Sequence, residues 1–135
     1  MLLCDTSGLL ALLDSGERAH RRVRNAVETN AGPLLAIDFV LAELDHLLLH
    51  RLGPSAEGRF LEQVAKGVFL REGVSDPDFA RASTIARRYR EHEIGLTDAA
   101  LMAVAERLRC PVLTLDRHFE LFRDRRGSPL TLVPE

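Results

Sequence analysis

The sequence predicts a three-layer α/β/α domain, with helices on both faces of a central parallel sheet of about five strands. Three observations point there. Short apolar runs recur along the 135 residues, each separated from the next by a segment of helical periodicity. Two of those runs, LLCD and VLTLD, end in an aspartate, which is how a buried strand leaves a sheet. No internal repeat, low-complexity segment or interdomain linker interrupts the pattern, so residues 1–135 are expected to form a single domain.

Leu2 to Asp5 reads as the first strand, and Thr6 or Ser7 offers the cap of a helix through Leu9, Leu10 and Leu13. Glu17 to Thr29 has apolar positions only at Val23 and Val27, the pattern of an exposed helix. Ala31, Gly32 and Pro33 break it before the strand Leu34 to Ile37. Asp38 can cap a helix that continues to about Leu52 and stops at Gly53-Pro54. Ser55 to Lys66 is a further helix, and Val68 to Leu70 a third strand. Asp76-Pro77 opens a long helix through Ala80, Ile85 and Tyr89, since proline suits the first helical turn. Thr97 caps a helix through Leu108, and Val112 to Leu115 is the fourth strand. A helical turn at Phe119 to Phe122 and a strand at Leu130 to Val133 complete the chain.

Composition narrows the function. No apolar run reaches membrane-spanning length, and the N-terminal stretch carries Asp5 where a signal peptide would be uniformly apolar; a cytoplasmic protein is expected. Cys4 and Cys110 stand alone, without the paired spacing of a zinc site or a disulfide framework. The formal net charge is −2, yet Lys66 is the only lysine among 18 basic residues. Arginine's planar fork suits phosphate. Arg87, Arg88 and Arg90 form one basic cluster; Arg117, Arg123, Arg125 and Arg126 form another, which follows Asp116 and is the better candidate for contacting RNA.

The carboxylates carry the chemistry. In open parallel sheets ligands gather at the carboxyl ends of strands, where Asp5 and Asp116 both fall. Glu43 borders the buried arc of its helix: at about 100° per residue, Val40 and Leu47 lie about 40 to 60° to one side of it. Asp98 likewise borders the face made by Leu101, Met102 and Ala105. An acid in such a place costs energy unless it is paired, hydrogen-bonded or bound to a cation. Converging carboxylates suit a hard cation, Mg2+ or Mn2+, which activates water and stabilises charge on a phosphoryl group. His46 and His50, four apart beside Glu43, offer a rival zinc hydrolase site. A non-catalytic interaction module, its acids serving only as caps and solvated charges, is the other alternative.

The segments LLCDTSGLLALLD, FVLAELDHLL, GLTDAALMAVAERL and VLTLDRHF together resemble the PIN-domain nucleases, specifically the VapC toxins of bacterial VapBC toxin–antitoxin systems. The likeness spans nearly the whole chain. It implies a five-stranded parallel sheet in the order 3-2-1-4-5, with Asp5, Glu43, Asp98 and Asp116 as an acidic quartet binding Mg2+ or Mn2+. Thr6, Ser7 and Thr114 would orient those acids or the attacking water. It further implies a homodimer, inhibition by a cognate VapB antitoxin, and cleavage of structured RNA such as tRNA or a ribosomal RNA loop.

Overall fold

The computed structural model describes residues 1–135. Its strands are β1 (Leu2–Cys4), β2 (Leu34–Ala36), β3 (Leu70–Arg71), β4 (Val112–Leu113) and β5 (Leu132–Val133). Its helices are α1 (Thr6–Leu13), α2 (His20–Thr29), α3 (Asp38–Leu52), α4 (Pro54–Ala65), α5 (Asp76–Arg88) and α6 (Leu96–Leu108). The strands pair in parallel in the order β3-β2-β1-β4-β5. This is the order the resemblance implies, and it makes β1 and β4 neighbours.

The central strands are buried because apolar residues fill them: Leu2, Leu3, Cys4, Val112 and Leu113 are at most 1% exposed. α6 closes the sheet with seven consecutive buried residues from Ala99 to Ala105, five of them alanine or valine, which lets the helix approach closely. α1 lies as close to β4. A Cβ on Gly8 would come within 2.5 Å of the Leu113 carbonyl oxygen, so only glycine fits there. No helix is long and apolar enough to cross a membrane.

Several boundaries differ from the sequence reading. Strands are shorter, down to two residues in β3 to β5, because each run pairs only where a neighbour lies alongside it, and β3 shifts from the expected Val68–Leu70 to Leu70–Arg71, opposite Leu35 and Ala36. The cap of α3 is Ile37 rather than Asp38, whose carboxylate instead takes both Nε and Nη2 of Arg71. The cap of α6 is Gly95 rather than Thr97, which places Thr97 and Asp98 inside the first turn. Asp5 occupies the cap position of α1 expected for Thr6 or Ser7. α5 is capped by Ser75, in a reciprocal box with Asp78. A 3-10 turn at Arg90–His92, unforeseen in the sequence, links α5 to α6.

α5 and α6 are tied by two arginine forks. Arg81 donates to both oxygens of Glu106 at 2.8 and 2.9 Å, with both side chains only 14% exposed. Arg107 donates to both oxygens of Asp78 at 3.0 and 2.9 Å and also reaches Glu72. α6 ends on Arg109 in the left-handed region, φ 53°, a conformation that costs a non-glycine residue about 1–2 kcal/mol.

Candidate active site

The register Cys4 with Leu113 carries both strands out of the sheet side by side. Asp5 therefore faces Thr114 across the strand ends, and its backbone N–H still donates to the Leu113 carbonyl at 2.9 Å. Two hydroxyls hold the Asp5 carboxylate: Thr114 Oγ1 and Ser7 Oγ donate to Oδ2 at 2.8 and 2.9 Å. The same hydroxyls accept from the next turn of chain. Asp116 N–H donates to Thr114 at 3.0 Å, and Leu115 N–H donates to Ser7 at 2.9 Å. One small network thus fixes Asp5 and the backbone leading into Asp116.

Asp116 is in turn shaped by His118, two residues further along the chain. Its Oδ1 accepts from the His118 backbone N–H at 2.9 Å and lies 3.0 Å from His118 Nδ1. These bonds start the 3-10 turn Arg117–Glu120, whose Phe119 is fully buried. The sequence reading gave His118 no role; its signal is the Asp-x-His spacing directly after a strand.

α3 and α6 supply the other two acids. Asp5, Glu43, Asp98 and Asp116 line one open cavity of about 430 Å³, together with Thr6, Ser7, Arg51, Leu96 and Thr97. Burial and then the charges of Asp5, Asp116 and Glu43 push Asp98 up to about 6. Burial also raises Asp5, with Asp116 adding to it, while the Thr114 and Ser7 hydrogen bonds pull the other way. Asp98 thus lies within electrostatic reach of the other three acids, and Asp5 within reach of Asp116. The acids line the cavity without closing on one another: no three carboxylates, imidazoles or thiols converge into a ready-made ligand shell anywhere in the chain. Such spacing fits a hard cation that retains waters and takes only some of its oxygens from carboxylates, as Mg2+ does.

The Thr6 hydroxyl, on a residue 3% exposed at the cavity wall, has no hydrogen-bond partner within the protein. A buried hydroxyl without a partner is costly, and this one is closed off from water-sized groups in the cavity. Arg51 is the one cation lining the cavity, bound loosely to Glu17 at 3.4 Å. It escaped the sequence reading although Glu43, Leu47 and Arg51 share a helix face at four-residue spacing.

His46 and His50 stack with ring centroids 4.1 Å apart, and His50 Nδ1 is engaged with the His46 carbonyl. Neither lines the acid-bearing cavity. The expected basic cluster after Asp116 is divided. Arg117 lies beside Asp116 in a shallow neighbouring hollow with Arg22. Arg123 is occupied with the carbonyls of Glu120 and Phe122. A turn at Asp124–Ser128 carries Arg125 and Arg126 away to the far end of α6. Cys4 and Cys110 are buried free thiols.

Known proteins share this architecture. The chain matches the family described as PIN domain over residues 2–124. It is 35% identical over 135 residues to ribonuclease VapC26 of Mycobacterium tuberculosis, which covers 98% of this chain and all of the relative. The solved structure of Mycobacterium tuberculosis VapC20, a sarcin-ricin-loop-cleaving toxin, matches with a TM-score of 0.77 at 23% identity, over 86% of this chain and 90% of that one. A toxin–antitoxin complex from Klebsiella pneumoniae matches with a TM-score of 0.67 at 21% identity, over 87% and 88% of the two chains.

Proposed function

This chain belongs to the PIN-domain family, in its VapC branch, and from that premise we propose that it is a metal-dependent endoribonuclease toxin built as one domain over residues 1–135. The observation that carries this reading is the shared cavity of Asp5, Glu43, Asp98 and Asp116, with Asp5 clamped by Thr114 and Ser7. Those four acids are the proposed holders of Mg2+ or Mn2+. A divalent cation there supplies Lewis acidity and neutralises charge on the phosphoryl group.

The chain's own groups do the rest. Thr114 and Ser7 keep the Asp5 carboxylate in one orientation by donating to a single oxygen, so no side chain blocks the other. Arg51 at the cavity lining attracts the substrate phosphate. Asp98, pushed up to about 6 by burial and its acidic neighbours while no cation is bound, would be drawn into its ionised form by a divalent cation shared with those acids.

The substrate is a structured RNA such as tRNA or a ribosomal RNA loop, in keeping with the similar fold of VapC20, a toxin that cleaves the sarcin-ricin loop. The proposed site of action is the cytoplasm. A cognate VapB antitoxin is the proposed partner, as in the toxin–antitoxin complex of similar fold. Leu96, 57% exposed on the cavity lining, offers such a partner an apolar contact beside the acids. A homodimer is proposed as well, with Phe79 and Leu70, 42% and 52% exposed, as apolar surface available to a second copy.

The test is cleavage of total cellular RNA by wild type and Asp5→Ala in Mg2+, Mn2+ and EDTA, with the cut ends mapped. Discrete cuts by wild type that require a divalent cation, reduced in the variant by about 10²-fold or more, are expected. Metal-independent cleavage, or equal cleavage by Asp5→Ala, overturns the reading.

A further inference from the structure

A second charged groove lies at the end of the molecule opposite the acids. α6 starts beside the acid-lined cavity at Asp98 and ends at Arg109, about 16 Å away at 1.5 Å per residue. There a hollow of about 350 Å³ is lined by five arginines and three carboxylates, a surplus of two positive charges. A second hollow of about 240 Å³ adjoins it and shares Arg109 and Arg126 with it.

The carboxylates are already engaged. Asp78 is held by Arg107, Glu106 by Arg81, and Asp124 Oδ1 accepts the backbone N–H groups of Arg126 and Ser128. The remaining cations are not. Arg109 and Arg126 form no ion pair, and Arg125, 73% exposed, only approaches Glu106 at 3.8 Å. Both Arg109 and Arg126 reach the neighbourhood of Asp124 and help its backbone hydrogen bonds hold that carboxyl below its ordinary range. Arg109 presents its side chain from a left-handed helix end, where glycine would be the relaxed choice. The groove is thus lined by arginines locked in pairs, Arg81 and Arg107, and by Arg109 and Arg126, which form no ion pair.

We propose that this groove is a phosphate track for RNA, holding a base-paired stem while the acid-lined cavity at the other end of α6 acts on an adjacent segment. This rests on the nuclease reading and gives the paired part of its structured substrate a place on the fold. The chemistry favours a paired stem over a single strand. Single-strand sites stack bases on aromatic side chains, and neither hollow is lined by one. Arginines without stacking partners read backbone and shape, which is how double-stranded RNA is recognised. One nucleotide cannot reach from the track to the acids, so the ligand must be extended or folded.

The experiment compares wild type with Arg109→Glu/Arg126→Glu, and with the milder Arg109→Gln/Arg126→Gln should the first fail to fold. Fluorescence anisotropy in EDTA follows binding of a labelled RNA hairpin and of a short unpaired oligonucleotide across a salt series. The hairpin is expected to lose about tenfold or more in affinity, and its logarithmic salt slope to fall by about two, whereas the oligonucleotide shifts far less. Unchanged hairpin affinity and slope, or equal losses for both RNAs, overturns the track. Wild type incubated with total cellular RNA in Mn2+ separates the two ideas: hairpin binding that depends on Arg109 and Arg126, in a protein that makes no discrete cut in that RNA, removes the nuclease reading and leaves the track standing.

Discussion

Thr114 Oγ1 lies 2.8 Å from Asp5 Oδ2, joining two residues 109 positions apart in the chain. The bond exists because β1 and β4 are neighbours in register, and it makes Thr114 a positioning residue for two acids at once. Its hydroxyl donates to Asp5 and accepts from the Asp116 backbone. Thr114→Val keeps the shape and removes both bonds. Cleavage is expected to fall by about 10–100-fold with a matching loss of divalent-cation affinity, whereas Thr114→Ser recovers most of both. Measuring Mn2+ binding and kcat/KM on the three proteins checks this, and a Ser variant as impaired as the Val variant would contradict it.

Ionised Asp98 opposes folding. Its carboxyl is pushed up to about 6 in the folded chain, first by burial and then by its acidic neighbours, from an ordinary value of 3.8. The folded state then binds more protons than the unfolded one between those values. Stability of EDTA-treated protein should therefore fall as pH rises from about 4 to about 6 and stay reduced above. Asp98→Asn removes the penalty and should stabilise that protein by on the order of 1–2 kcal/mol at pH 7.5, with little effect at pH 4. Divalent cation should raise Tm more for wild type than for the variant. Equal pH profiles for the two would refute the account.

Much of this arrangement was legible in the sequence for a definite reason. LLCD and VLTLD announce Asp5 and Asp116 because a parallel strand must be apolar until it leaves the sheet. Glu43 follows from helical angle, as an acid at the edge of an apolar face, whereas Asp98, in the first turn of its helix, needed the family resemblance as well because an acid there also serves the helix dipole. Helix starts were less legible. Asp38 looks like a cap but becomes the first helical residue and binds Arg71, a partner 33 residues away that local preference does not encode. Adjacency misled for the arginines. Arg117 and Arg126 are nine positions apart, yet the Arg123–Pro129 bridge and the turn between them send the two side chains to different faces.

Gly8 sets how tightly α1 seats against β4, and with it the reach of Ser7 toward Asp5 and Leu115. A methyl group there meets the Leu113 carbonyl oxygen at 2.5 Å, backbone that cannot rotate away. Gly8→Ala is expected to destabilise by about 1–3 kcal/mol, as overpacking does. Activity should fall further than stability explains, because Ser7 moves with the helix. Thermal unfolding together with assays well below Tm separates the two effects; an unchanged Tm would show that α1 can shift freely.

The Asp78–Arg107 fork gives the fold an acid limit remote from the acid-lined cavity. Arg107 hydrogen bonds, with help from Ser75, hold the Asp78 carboxyl below its ordinary value, and the Asp78 side chain is only 5% exposed. The unfolded chain therefore takes up this proton at higher pH than the folded one. The pair's contribution is complete above about pH 4 and is lost as pH falls through the depressed folded value. Arg107→Gln leaves a buried carboxylate without its cation and should cost about 2 kcal/mol at neutral pH, a partial value because Arg107 is 41% exposed. Asp78→Asn should lose stability at neutral pH but show a flatter decline below pH 4, since the group that titrates is gone. Tm measured from pH 3 to 7 reads both changes. A decline as steep in Asp78→Asn as in wild type would place the acid sensitivity elsewhere in the chain.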